Sequence, residues 1–175
     1  MTEATAPVMT PVYEFREHLH LGLGRLRSAA EAIRTHEQKG APLGLEYALA
    51  YLEGLVQPAF NAEEYTLFPA VDGVLGTVGG ANIMVAQHRA IDAMIGDLRK
   101  VADAAAEEGD LEAYSATLLA LLHGLYAAIR MHLEAEDDAY LALLDEHLSQ
   151  SQADVIAKNL RRISTNALPD NLVEH

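Results

Sequence analysis

Residues 118–143, LLALLHGLYAAIRMHLEAEDDAYLAL, decide the fold. Leu118, Leu122, Leu125, Ile129, His132, Glu136, Tyr140 and Leu143 recur in it at steps of three and four, which sets them on one face of a long helix. That face is apolar except in its middle. Burying His132 and Glu136 one turn apart costs several kcal/mol unless partners satisfy them, so the facing helices must supply something to meet them.

Outward from this stretch, the chain is punctuated into helices. Thr10, as a cap, and Pro11, at a first helical position, open a helix predicted to run to about Glu37, before Gly40-Ala41-Pro42. A second is predicted from about Leu43 to Val74, bent at Pro58. Gly73, Gly76, Gly79 and Gly80 break the chain before a third helix, about Asn82 to Glu107, which Gly109 ends. Asp110 caps the fourth, which reaches about Leu148, and a short fifth follows over about Gln152 to Ile163. The predicted organisation is a flexible N-terminal tail (1–9), an all-α up-and-down four-helix bundle (10–148), and a short C-terminal helix with a tail (149–175).

Composition agrees and excludes much. Half of the 175 residues are apolar, and Ala (30) and Leu (26), both strong helix formers, make up about a third of the chain. A net charge of −14 argues against nucleic acid and against an anionic membrane surface. No signal-peptide pattern opens the sequence and no unbroken apolar run approaches the roughly 18 residues of a membrane span, so a cytoplasmic protein, monomer or homodimer, is expected. The absence of Cys removes thiolate sites, so any metal is held by His and carboxylate.

The other apolar stripes are interrupted as the fourth is. On the second helix Leu45, Leu49, Leu52, Val56, Ala59, Glu63 and Leu67 share a face, with Glu64 about 100° round at the rim. His88 falls among Met84, Ile91, Ile95, Leu98 and Ala102 on the third. On the first, Phe15, Leu19, Leu23, Leu26, Ala30 and Ile33 leave His18 and His20 on opposite flanks, and periodicity does not choose between them. Imidazole and carboxylate without sulfur suit iron, manganese or zinc, and two carboxylates able to bridge favour a dinuclear centre. A buried ion pair with Arg25, Arg89 or Arg130 is the alternative account of Glu63 and Glu136.

Taken together, Glu17-His18-Leu19-His20-Leu21, Pro58-Ala59-Phe60-Asn61-Ala62-Glu63-Glu64 with Leu67-Phe68-Pro69, Gln87-His88, and His132-Leu133-Glu134-Ala135-Glu136-Asp137 resemble the hemerythrin-like, HHE cation-binding family over about residues 12–148. Family members hold two non-haem irons through His and bridging carboxylates, and some bind dioxygen, nitric oxide or peroxide. The resemblance implies His18, His88 and His132 as ligands and Glu63 as one bridge. The second bridge is Glu136 by a spacing of four from His132, or Asp137 by a spacing of five. On a regular helix Asp137 lies about 140° from His132 and would require a local bulge, which favours Glu136. His20, Tyr51 and Tyr140 are further candidates to complete the ligand shell.

Two positions depart from the family pattern: Ala59 stands where a helix-2 His is usual, and Met84 where oxygen carriers have a second helix-3 His. The expectation is a non-haem iron protein, with two irons, that binds or reduces a small oxidant (O2, H2O2 or NO), with no nucleic acid or membrane partner. The rivals are a metal-poor bundle acting as a sensor or interaction module, and a mononuclear iron store or carrier.

Overall fold

The computed structural model describes residues 6–37 and 39–166, and these contain helices and connections without a strand. Helix α1 (Thr10–Arg34) carries Pro11 in its first turn. Thr10 does not cap it: Met9 precedes the helix, and the Thr10 hydroxyl donates to the Pro7 carbonyl at 2.5 Å. The helix stops short of Glu37, and His36 takes a left-handed backbone (φ +54°).

The second rod is continuous from Gly40 to Leu75, as α2 (Gly40–Tyr51), a π turn (Leu52–Val56) and α3 (Gln57–Leu75). The N–H of Gln57 reaches back to the carbonyl of Leu52, one residue further than in an α-helix. Pro58, which has no N–H to give the ladder, follows directly, so the predicted disturbance at Pro58 takes this form. Helix α4 (Asn82–Glu108) ends at Gly109 (φ +67°), and Asp110 caps α5 (Leu111–Ala135) by accepting from the Ala113 N–H at 3.1 Å. A second π turn (Glu136–Leu141) joins α5 to α6 (Ala142–His147) in one rod. Helix α7 (Gln150–Asn166) extends beyond the predicted 152–163 at both ends and lies against α3 and α1.

The rod from Leu111 to His147 is apolar and long enough, on composition, to cross a membrane. Its stripe of Leu118, Leu122, Leu125 and Ile129 is fully buried in the bundle. Met9 lies within the stretch read from sequence as a flexible tail. It is instead buried, and its N–H donates to Asp145 Oδ1 at 2.5 Å, so ordered packing starts ahead of α1. Residues 1–5 and 167–175 of the expected tails lie outside the described residues.

The core is split. One apolar cluster runs from Leu19, Phe60, Ile91 and Leu133 toward Ile33, Ala41 and Leu118. The other holds Met9, Val12, Leu67, Met84, Leu141 and Leu144, closed by Ala153, Ile156, Ala157 and Leu160 of α7. Between the two, every rod of the bundle changes from one cluster to the other through a buried polar residue: Arg16, Glu63, His88, and His132 with Glu136.

Candidate metal centre

The polar layer is assembled from four rods. Helix α3 keeps the stripe read from sequence, so Glu63 points inward and is fully buried. His88 of α4 and His132 of α5 are each 1% exposed, and Glu136 at the start of the second π turn is fully buried. The Nε2 atoms of the two imidazoles face each other at 3.0 Å. Each Nδ1 meets an acceptor, Glu64 Oε1 for His88 and Gln87 Oε1 for His132, both at 2.9 Å. Each Nδ1 therefore carries the proton and donates, which leaves both Nε2 lone pairs turned toward one point. Second partners of this kind fix the tautomer and orientation of metal-binding histidines. Phe60 stacks on His88 at 4.0 Å and meets His132 edge-on at 4.7 Å, walling the pair from water.

The carboxylates complete this point. Glu63 Oε2 is 3.5 Å from His88 Nε2, and Glu136 Oε2 is 3.3 Å from His132 Nε2. Glu63, His88 and His132 each offer one ligand atom, and these atoms lie within 4.8 Å of one another. Glu63 Oε2 and Glu136 Oε1 are buried with no hydrogen-bond partner. The orphaned Glu63 oxygen beside the two imidazole nitrogens is a donor set suited to a cation, and the residue types fit iron, manganese or zinc.

The residue that α1 sends into the layer is Arg16, 1% exposed. Its Nη1 donates to Glu63 Oε1 at 2.6 Å and to Glu136 Oε2 at 2.5 Å, its Nε to Asp137 Oδ1 at 2.9 Å, and its Nη2 to the Leu133 carbonyl at 3.2 Å. Burial opposes the guanidinium charge, but Glu136, Glu63 and Asp137 outweigh it and hold the proton more firmly than usual. Burial likewise opposes the Glu136 carboxylate, yet Arg16 and His132 hold its pKa down to about 2. For His88 burial favours the neutral ring, and hydrogen bonding and charge from Glu63, with Glu64 and Glu136, raise its pKa in spite of that.

The structure thus brings together Glu63, His88, His132 and Glu136 of the residues singled out from sequence. His18 is not among them: it is exposed on α1 while Arg16 and Leu19 face inward. His20, 36% exposed, reaches Asp137 Oδ2 at 2.9 Å. Asp137 is turned in as well as Glu136, because the π turn that a spacing of five demands is present. The Tyr51 and Tyr140 hydroxyls are engaged elsewhere, donating to the carbonyls of Leu19 at 2.6 Å and Gly80 at 2.9 Å. The Tyr51 ring lies so close over Gly22 that a Cβ there would come within 2.0 Å of it. Arg25, Arg89 and Arg130, considered as partners for the buried acids, are all exposed.

Sequence reasoning missed Arg16, Gln87 and the inward reach of Glu64. For Arg16 the signal existed: Val12, Arg16, Leu19, Leu23, Leu26, Ala30 and Ile33 form a stripe of alternating four and three steps, all buried, that fits better than one begun at Phe15.

The profile of the hemerythrin HHE cation-binding domain matches residues 15–144, more than half of the chain. The chain belongs to this family. No curated protein and no solved structure matches it. A hemerythrin HHE domain is a metal-binding helical bundle, and the Glu63, His88 and His132 group lies within the matched span.

Proposed function

We propose that this HHE domain binds non-haem iron through His88, His132, Glu63 and Glu136, and serves to bind or reduce a small oxidant such as dioxygen, peroxide or nitric oxide. The observation that carries the reading is the pair of Nε2 atoms facing each other at 3.0 Å with both Nδ1 positions already bonded. Two lone pairs at that distance repel unless a proton or a cation lies between them. Iron, when bound, would supply one-electron exchange and open positions for the oxidant.

The chain's own groups have definite tasks. Glu64 and Gln87 hold the imidazoles in register, Phe60 and Phe68 cover His88, and Arg16 occupies one oxygen of Glu63 so that the other faces His88, and holds Glu136 Oε2 beside His132. A cleft of about 520 Å³, bordered by Tyr13, His20 and Asp137, ends at Arg16.

The test is metal analysis of freshly purified protein together with thermal unfolding at increasing Fe(II) under anaerobic conditions. Wild-type protein is expected to retain iron and to gain stability with it. His132→Ala and Glu63→Ala are each expected to lose most of both effects. Iron at background with unfolding indifferent to metal would reject the proposal in favour of a metal-poor sensor or interaction module. That second reading is favoured by Arg16, which already supplies a cation to the buried acids.

A further inference from the structure

We infer that Arg16 fills the second cation position of this centre, so that the site takes one divalent metal ion rather than two. The inference rests on the metal-binding reading above and sharpens it to a stoichiometry and a class of centre.

The carboxylates carry the argument. A carboxylate that bridges two metals gives one oxygen to each. Glu63 gives Oε1 to Arg16 Nη1 at 2.6 Å and keeps Oε2 unpartnered, 3.5 Å from His88 Nε2. Glu136 gives Oε2 to the same Nη1 at 2.5 Å and keeps Oε1 unpartnered. Glu63 therefore already bridges, with the guanidinium nitrogen on one oxygen and the imidazole pair at the other, while Glu136 Oε2 stands between the same guanidinium nitrogen and His132 Nε2, 3.3 Å away.

The surroundings of that nitrogen match the assignment. On the guanidinium side the groups are Asp137 and the Leu133 carbonyl, with no imidazole among them. His18 is exposed and His20 is bonded to Asp137. Ala59 and Met84, a turn from Glu63 and His88 on the same helices, are buried within the apolar clusters and add no imidazole. A second ion would have to displace a side chain that is 1% exposed and held by four hydrogen bonds.

Charge bears on the same count. Glu63, Glu136 and Asp137 contribute three negative charges, and Arg16, which does not deprotonate in proteins, removes one. Glu64, bonded to His88 Nδ1, adds a fourth at the rim, so one divalent ion reduces a surplus of three negative charges to one. Two divalent ions beside Arg16 would leave a buried excess of positive charge.

The experiment is anaerobic titration of the full chain with Fe(II), and separately with Zn(II), followed by desalting and metal analysis, with electron paramagnetic resonance of the oxidised iron form. One equivalent per chain and the half-integer-spin signal of an isolated ferric ion are expected. Arg16→His, which places a neutral donor where the cation stood, is expected to rise to two equivalents. Arg16→Lys, which keeps the charge, is expected to stay at one. Two equivalents in the wild type with a spin-coupled, silent ferric pair would overturn the inference and leave the metal-binding reading standing. A folded Arg16→His still holding one equivalent, or Arg16→Lys holding two, would overturn it as well. Should Arg16→His not fold, the wild-type and Arg16→Lys stoichiometries decide the matter. No metal in the wild type overturns the reading beneath it, and the inference with it.

Discussion

Truncating Arg16 to Ala leaves Glu63 and Glu136 buried with no cation beside them. Removing one partner of a buried ion pair typically costs about 3–5 kcal/mol, and here one side chain serves three acids. Metal-free Arg16→Ala is therefore expected to lose unfolding free energy of at least that order, and a divalent ion is expected to restore part of the loss by binding the folded state alone. Chemical denaturation with and without chelator measures both; a variant as stable as wild type in chelator would contradict the pairing. The same residue explains a gap in reading the sequence. His88, His132, Glu63 and Glu136 stand out because each interrupts an apolar stripe with a residue type that binds metal. Arg16 interrupts one too, but a long charged side chain at such a position ordinarily reads as surface, and only the three acids facing it make its burial affordable.

The π turns act at the level of the element. A regular helix separates consecutive side chains by about 100°, so Glu136 and Asp137 would diverge. In the wider turn Glu136–Leu141 both contact Arg16, while Leu141 and Leu144 beyond it still face the second core cluster. Inserting one Ala after Asp138 adds a residue that the turn has not absorbed and is expected to turn α6 by about 100° about its axis. Leu141 and Leu144 would leave the contact with α3 and α7, and amide hydrogen exchange over Ala153–Leu160 should rise while that of α5 stays low. Unchanged protection in α7 would show that the turn does not set this register. The sequence placed the helices, the breaks at Gly109 and Asp110, and the buried face of α3 correctly, because those depend on spacing and capping within one element. The π turn at Leu52–Val56 lies just ahead of Pro58, where a bend was expected, whereas the one at Glu136 has no Pro or Gly to announce it. Its signal is the spacing of five from His132 to Asp137, which requires a bulge, where the sequence reading favours a regular helix with Glu136.

For the molecule as a whole, the polar layer makes stability depend on pH in two opposing ways. Glu136, held near a pKa of 2 against an ordinary 4.5, stabilises the fold fully above the ordinary carboxylate range and loses that contribution as pH falls from about 4.5 toward 2. His88, raised above 6.5, contributes below its ordinary value and loses that contribution as pH climbs through the raised one. The metal-free protein is therefore expected to be most stable between these limits, with an acid limb that flattens in Glu136→Gln and an upper limb that flattens in His88→Gln. Denaturant midpoints from pH 2 to 9 test this. Packing at this scale was the least legible in the sequence: α7 covers the second cluster and Met9 is drawn into it, contacts between segments more than a hundred residues apart.

The division of the core by one charged layer also governs how the rods can align. A purely apolar four-helix core tolerates sliding by a turn, since one Leu replaces another. Here, sliding any single rod by a turn, about 5.4 Å, would strand a guanidinium, a carboxylate or an imidazole against hydrocarbon. The layer thus works as a key cut at one depth, admitting a single vertical alignment of the four rods, and it does so through side-chain charge before any ion arrives.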